Sequence, residues 1–181
     1  MKQLCSIHFR EPSLLVEFVV GVIMIMMVLL LCSTISIASP QTFDVSWQAQ
    51  GSPGFITIDG KGAKASCQLD ASGLGICEVP LADFKTGIDM RDKHMREKYL
   101  LTDKYPKAVL HIISATNHEW FGELTLKGKT KVVKGSYTLQ KDGQLEAVFT
   151  ITLDAYGIGV PSYLGVTVAK EVAIKVTGQV K

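Results

Sequence analysis

The strongest constraint on the fold is an alternation of polar and apolar side chains with a period of two, which recurs along most of the chain after residue 40. Such alternation is typical of strands that bury one face and expose the other. It indicates strands over residues 42–49, 54–59, 63–69, 76–81, 107–114, 120–127, 131–139, 145–153 and 172–180. Eight or nine short strands with turn signals between them predict an antiparallel sandwich or barrel.

One segment departs from this pattern and is helical in character. Residues 89–99 begin with Asp89, a residue favoured as a helix N-cap, and contain Asp92 and Arg96 at the spacing of a stabilising helical ion pair. Met95 and Tyr99 lie on one face of this helix and are expected to seat it against the sheet. The sequence therefore predicts an all-β protein with one short helical insertion near residues 90–99.

The first 38 residues have the composition of a targeting segment. Residues 18–38 carry no charge, Lys2 and Arg10 precede them, and small residues lie at Ser36 and Ala38. We expect a signal peptide over residues 1–38 and a mature domain over residues 39–181. The apolar run is also long enough to span a bilayer, so an uncleaved N-terminal membrane anchor over residues 18–38 is the alternative. A lipoprotein signal at Cys32 is disfavoured because the bulky Leu31 precedes it.

The predicted mature domain contains two cysteines, Cys67 and Cys77. They flank a turn sequence centred on Ser72, so a hairpin over this segment would place them opposite each other. Export into an oxidising compartment favours a disulfide between them. The alternative is a pair of unbonded, buried thiols. The spacing of the cysteines does not suit a metal site.

Charge and motifs exclude several other functions. The formal net charge is +2, and the run of Lys127, Lys129, Lys131 and Lys134 alternates like the wet face of a strand, so we expect no nucleic-acid partner. The sequence lacks a nucleophile elbow and a phosphate-binding glycine loop.

Several blocks of the sequence resemble the YceI-like family of exported proteins. The main block is Thr86–Pro106, TGIDMRDKHMREKYLLTDKYP. The strand Gly122–Gly128, the segment from Asp154 to Ile158 with Pro161 and Gly165, and the opening strand Phe43–Trp47 are also similar to that family. Together these blocks span nearly all of residues 41–181. The two cysteines are not part of the family pattern.

The resemblance implies a lipocalin-like antiparallel β-barrel of about eight strands with an elongated apolar tunnel along its axis. It further implies a polyisoprenoid or another long-chain amphiphile, such as a quinone tail or a fatty amide, as the bound molecule. The implied location is the periplasm or the cell exterior, with attachment to the inner membrane if the N-terminal segment is not cleaved. We expect no cofactor other than this apolar ligand.

The apolar strand faces supply the candidate lining of such a tunnel. They are Phe43, Val45, Trp47, Ile56, Ile58, Val79, Leu81, Leu124, Leu126, Tyr137, Phe149 and Ile151. Each of these residues has the alternative of packing a filled core, since small barrels are often solid. Trp47 and Tyr137 are the strongest candidates for ligand contact, because each joins an apolar ring to a polar group that could meet a ligand head group.

The group Arg91, Asp92 and His94 is the most plausible catalytic candidate in the sequence. An enzyme acting on a lipid or a quinone would use His94 or His111 as its acid and base. The favoured interpretation is that Arg91 and Asp92 brace the helix at the rim of the barrel and that His94 packs there. We therefore predict a binding protein without catalytic or metal-binding residues. A filled barrel with a structural or interaction role is the alternative, and the sequence leaves dimerisation open.

Overall fold

The computed structural model describes residues 39–52, 54, 56–163 and 166–180. The predictions for residues 1–38 lie outside the described residues. In the part of the chain that is described, no helix combines the length and the hydropathy needed to cross a membrane. The described residues, from Ser39 onward, belong to one compact unit.

Nine antiparallel strands form one sheet that closes on itself. They are β1 (Gln41–Ser52), β2 (Ile56–Leu69), β3 (Gly75–Pro80), β4 (Lys107–Thr116), β5 (Glu119–Leu126), β6 (Lys129–Leu139), β7 (Gln144–Thr152), β8 (Ser162–Tyr163) and β9 (Val166–Gln179). Each strand from β1 to β7 pairs with the next one in the sequence, and β7 pairs with β9. The pairing of β9 with β1 closes the barrel. The two-residue strand β8 only extends β9 at its start, so the barrel has eight long strands and the predicted fold is confirmed.

The up-and-down order of the strands gives the barrel two distinct ends. The turn at residues 70–74, the turn at 117–118, the turn at 140–143 and the start of β1 lie at one end, which we call the disulfide end. The segment 81–106, the turn at 127–128 and the connection 153–161 lie at the other, which we call the helix end.

The second strand is longer than the sequence pattern indicates. Two strands are predicted over residues 54–59 and 63–69, whereas β2 runs without interruption through Gly60 and Gly62. The reason is steric: a Cβ atom on Gly60 would lie 2.0 Å from the indole ring of Trp47. Gly60 therefore makes room for a cross-strand tryptophan rather than ending a strand, and β2 carries a bulge at Lys61 and Gly62, opposite the step from Val45 to Trp47.

The helical insertion is confirmed, with a difference in its first and last turns. Helix α1 spans Asp89–His94, and a wider π-helical turn, Met95–Leu100, continues it. The predicted N-cap at Asp89 is wrong by one residue, because Ile88 holds the cap position in extended backbone. Met95 and Tyr99 pack against the barrel core as predicted.

The predicted hairpin between the two cysteines is also confirmed. Cys67 on β2 and Cys77 on β3 are register partners, and a disulfide joins them. Asp70 starts the turn by accepting hydrogen bonds from the backbone N–H groups of Ser72 and Leu74 at 2.8 and 3.1 Å. Gly73 occupies the left-handed conformation that the turn requires.

Candidate functional site

The interior of the barrel is open. A cavity of about 830 Å³ extends along the axis and is lined by side chains from all eight long strands and from the helical insertion. Its size lies in the usual range for small-molecule sites. This open interior contradicts the alternative of a filled barrel.

All twelve predicted lining residues lie on the wall of this cavity. The structure places Phe43, Val45, Trp47, Ile56, Ile58, Val79, Leu81, Leu124, Leu126, Tyr137, Phe149 and Ile151 there. Side chains of a strand alternate between its two faces, and the apolar face of each of these strands points into the barrel. That these side chains contact a ligand remains a prediction.

Trp120, which was not among the predicted lining residues, also lines the cavity and is 7 % exposed. Its indole packs edge-on against Phe149 at 5.1 Å between ring centroids, and its Nε1 lies 2.9 Å from where a Cβ on Gly135 would be. Trp120 shares its strand face with Leu124 and Leu126, so the alternation already contained the signal. The disulfide sulfurs were also missed as lining, since Cys67 and Cys77 face inward.

Polar lining is confined to the two ends of the cavity. Gln41, Asp70 and Ser72 lie at the disulfide end. Thr86, Arg91, His94 and Ser162 lie at the helix end. Between them the wall is aliphatic and aromatic, apart from the polar tips of its tryptophans and tyrosines. Such a site accepts a long apolar chain along the axis and a polar group at either mouth.

The helix end is held in place by three side chains. Asp92 Oδ1 accepts hydrogen bonds from the backbone N–H of Thr86 at 2.8 Å and from its hydroxyl at 2.5 Å. Arg91 donates from Nε to the same hydroxyl at 2.8 Å and from Nη2 to the carbonyl of Thr86 at 2.9 Å. Thr86 is thereby fixed to α1 from two sides, which is the geometry expected of a brace at the rim of the barrel.

The charge state of Asp92 follows from this arrangement. Asp92 is 3 % exposed, and burial alone raises the pKa of its carboxyl. The hydrogen bonds from Thr86, together with the positive charges of Lys85 and Arg96, outweigh burial and hold the pKa below its ordinary value of 3.8. Asp92 is therefore ionised at neutral pH, and its hydrogen bonds go to Thr86 rather than to Arg96.

Comparison with known proteins identifies the family of the domain. The sequence profile of the YceI-like domain matches residues 36–180. The chain belongs to the YceI-like domain family. No curated protein sequence matches it at a significant level.

Two solved structures share the YceI-like fold with this chain. One is Burkholderia cenocepacia BcnA, with a TM-score of 0.56 and 22 % identity over 75 % of this chain and 94 % of BcnA. The other is a polyisoprenoid-binding domain from Saccharophagus degradans implicated in plant cell wall breakdown. It has a TM-score of 0.58 and 13 % identity over 77 % of this chain and 94 % of that domain.

The histidines do not converge in the YceI-like barrel. His94 lines the mouth of the cavity at the helix end, whereas His111 and His118 are exposed, His111 in β4 and His118 in the turn before β5. Among the described residues, no three His, Cys, Asp or Glu side chains are grouped closely enough to hold a metal ion. Of the two histidines considered for acid–base chemistry, only His94 lies where it would meet a bound molecule.

Proposed function

We propose that this YceI-like protein binds and carries a polyisoprenoid or another long-chain amphiphile, such as a quinone tail or a fatty amide. The observation that carries the proposal is the open cavity, whose wall is apolar in the middle and polar only at its mouths. Each methylene group moved from water into such a cavity contributes about 0.8 kcal/mol. The printed description of the Saccharophagus degradans domain as polyisoprenoid-binding supports the same ligand class.

The protein acts as a carrier rather than an enzyme in this proposal. The cavity presents apolar surface, and the charged groups at its helix end are engaged in fixing the backbone: Arg91 and Asp92 both bind Thr86. No cofactor other than the apolar ligand enters the proposal.

We further propose that the barrel acts outside the cytoplasm, in the periplasm or in the cell exterior. The Cys67–Cys77 disulfide supports this location, because such bonds persist in oxidising compartments. The uncharged run of residues 18–38 supports either export with cleavage or attachment to the inner membrane.

A pair of adjacent substitutions on β7 tests the binding proposal. Ala147 points into the cavity, whereas Val148 points outward and is 40 % exposed. Each is replaced by phenylalanine, and the native proteins are purified without detergent, extracted with organic solvent and examined by mass spectrometry. The proposal expects a long-chain amphiphile in the wild type and in Val148→Phe, and its loss in Ala147→Phe. Finding no lipid in the wild type, and no uptake of added isoprenoid, would refute it.

A further inference from the structure

The mouth of the cavity at the helix end carries an exposed apolar lip formed by Ile88 and Met90. These side chains are 54 % and 56 % exposed, and both also line the cavity. By contrast, Val132 is 73 % exposed but lies on the outer wall, away from the cavity. The lip is therefore apolar surface placed where a ligand would pass between solvent and tunnel.

The lip is held in a fixed position. Thr86 precedes it and makes four hydrogen bonds to Arg91 and Asp92, and the backbone N–H of Asp92 donates to the carbonyl of Ile88 at 3.0 Å. These hydrogen bonds therefore fix the backbone that carries Ile88 and Met90.

Charges of both signs lie beside the lip: Asp89, between Ile88 and Met90 in the chain, is exposed, and so are two lysines. Lys61 and Lys85 lie side by side, because their backbones exchange two hydrogen bonds of 3.0 and 2.8 Å, and both side chains are exposed. The charge of the nearby Asp92 is buried against Thr86. An anionic surface approaching the lip would therefore meet exposed lysines.

The two ends of the barrel also differ in their balance of basic and acidic side chains. The helix end carries twelve basic against eight acidic side chains, in residues 47–63, 81–107, 126–131 and 152–171. The remainder of residues 39–180 carries four basic against seven acidic side chains. The field of the barrel thus orients its helix end towards negative charge.

We propose that the helix end docks on an anionic phospholipid bilayer, with Ile88 and Met90 inserted at the surface, and that the apolar ligand enters and leaves the tunnel there. This inference deepens the proposed function and rests on it for the ligand. An exposed apolar patch at an end with an excess of basic side chains is a pattern that binds the interface of anionic membranes. Docking spares the tail of the ligand a passage through water.

The test compares Ile88→Asp/Met90→Asp with the control Val132→Asp, all in the barrel 39–181, a range that forms a compact unit and contains every described strand and core residue. Co-sedimentation is measured with empty vesicles of phosphatidylcholine alone, or of equal parts phosphatidylcholine and phosphatidylglycerol. We expect the wild type and Val132→Asp to bind the anionic vesicles preferentially. The lip variant should bind these vesicles with an affinity at least about tenfold lower. Added salt should weaken binding.

Uptake of a fluorescent long-chain isoprenol from cyclodextrin, without vesicles, separates the two proposals. Because Ile88 and Met90 also line the cavity, the docking site is supported when the lip variant loses more in its rate of extraction from anionic vesicles than in its uptake from cyclodextrin. Failure of uptake in every protein would refute the proposed function and leave the vesicle result to decide the docking surface. Vesicle binding that is equal in wild type and lip variant, or binding without preference for anionic lipid, would overturn the docking proposal. Ile88→Ser/Met90→Ser serves as the second variant if the aspartates alter the melting temperature.

Discussion

At the scale of single residues, Asp92 links the family block to the shape of the cavity mouth. Its carboxylate accepts both hydrogen bonds that Thr86 offers, while Arg91 binds the same threonine. Replacing Asp92 with alanine would leave the buried donors of Thr86 unpaired, so we expect a loss of about 2–3 kcal/mol in the free energy of unfolding. Asp89→Asn, an exposed acid on the same helix, should change it by less than about 0.5 kcal/mol. Urea denaturation measures both, and equal effects would contradict the clamp.

The lowered pKa of Asp92 gives a pH dependence of known sign. A carboxyl whose pKa is lower in the folded than in the unfolded protein stabilises the fold above the unfolded pKa, and this contribution is lost as the pH falls through the folded pKa. The loss should therefore occur below about pH 4, where the ordinary value of 3.8 lies. We expect the melting temperature of the wild type to fall more steeply in this range than that of Asp92→Asn. Parallel curves for the two proteins would show that Asp92 does not contribute.

Gly135 tests the packing of the cavity wall. A Cβ at this position would lie 2.2 Å from the carbonyl oxygen of Val148 and 2.9 Å from Trp120 Nε1. Gly135→Ala should therefore cost about 1–3 kcal/mol through overpacking, whereas Gly159→Ala, with no atom within 4 Å of the new Cβ, should be nearly neutral. Chemical denaturation measures the free energy of unfolding of both variants. A neutral Gly135→Ala would contradict the close packing of Gly135 against the Val148 carbonyl and Trp120.

At the scale of secondary-structure elements, the ladder between β2 and β3 is short. It contains four register pairs, one of which is Cys67 with Cys77. The disulfide joins residues ten positions apart and restricts the unfolded chain. We expect Cys67→Ala/Cys77→Ala to lose about 2–3 kcal/mol of stability by the chain-entropy estimate. Thermal unfolding of the oxidised wild type, the reduced wild type and the variant measures this loss. A stability of the variant equal to that of the oxidised protein would contradict it.

The strands also show what could be read from the sequence. Alternation fixes the inward face of a strand because side chains point to opposite sides at every step, and this was sufficient for Phe43, Leu124 and Ile151. It could not show that β2 continues through Gly60, because a glycine that ends a strand and one that admits a neighbouring ring look alike. That distinction depends on Trp47, which lies on another strand.

The site could be predicted only in part for a similar reason. Whether a barrel is open depends on the sum of its inward volumes, and several inward positions hold small residues, such as Ala65, Ala115 and Ala147. No local pattern reports that sum. The exposed lip at Ile88 and Met90 could not be predicted either, because its position depends on hydrogen bonds of Thr86 with Arg91 and Asp92 that the sequence pattern does not report.

At the scale of the whole molecule, the two ends of the barrel differ in charge and in structure, and the cavity connects them. Among the described residues, each of the eight long strands pairs with a strand on both sides, although the β2–β3 ladder covers only residues 66–69 of β2 and the β6–β7 ladder only residues 135–139 of β6. Closure of the sheet thus removes most of the exposed strand edge. The proposed function depends on the binding of a long apolar chain in the barrel interior.

The two tryptophans of the sequence offer the most direct measurement of that claim. Trp47 and Trp120 are the only tryptophans in the chain, and both line the cavity. Barrel stripped of lipid is titrated with a long-chain alcohol that carries bromine atoms along its length, and the intrinsic fluorescence is recorded. We predict saturable quenching of tryptophan fluorescence at one alcohol molecule per barrel. Ala147→Phe should abolish this quenching, and Val148→Phe should retain it. Quenching that never saturates, or that both variants share equally with the wild type, would contradict an open tunnel that binds the chain.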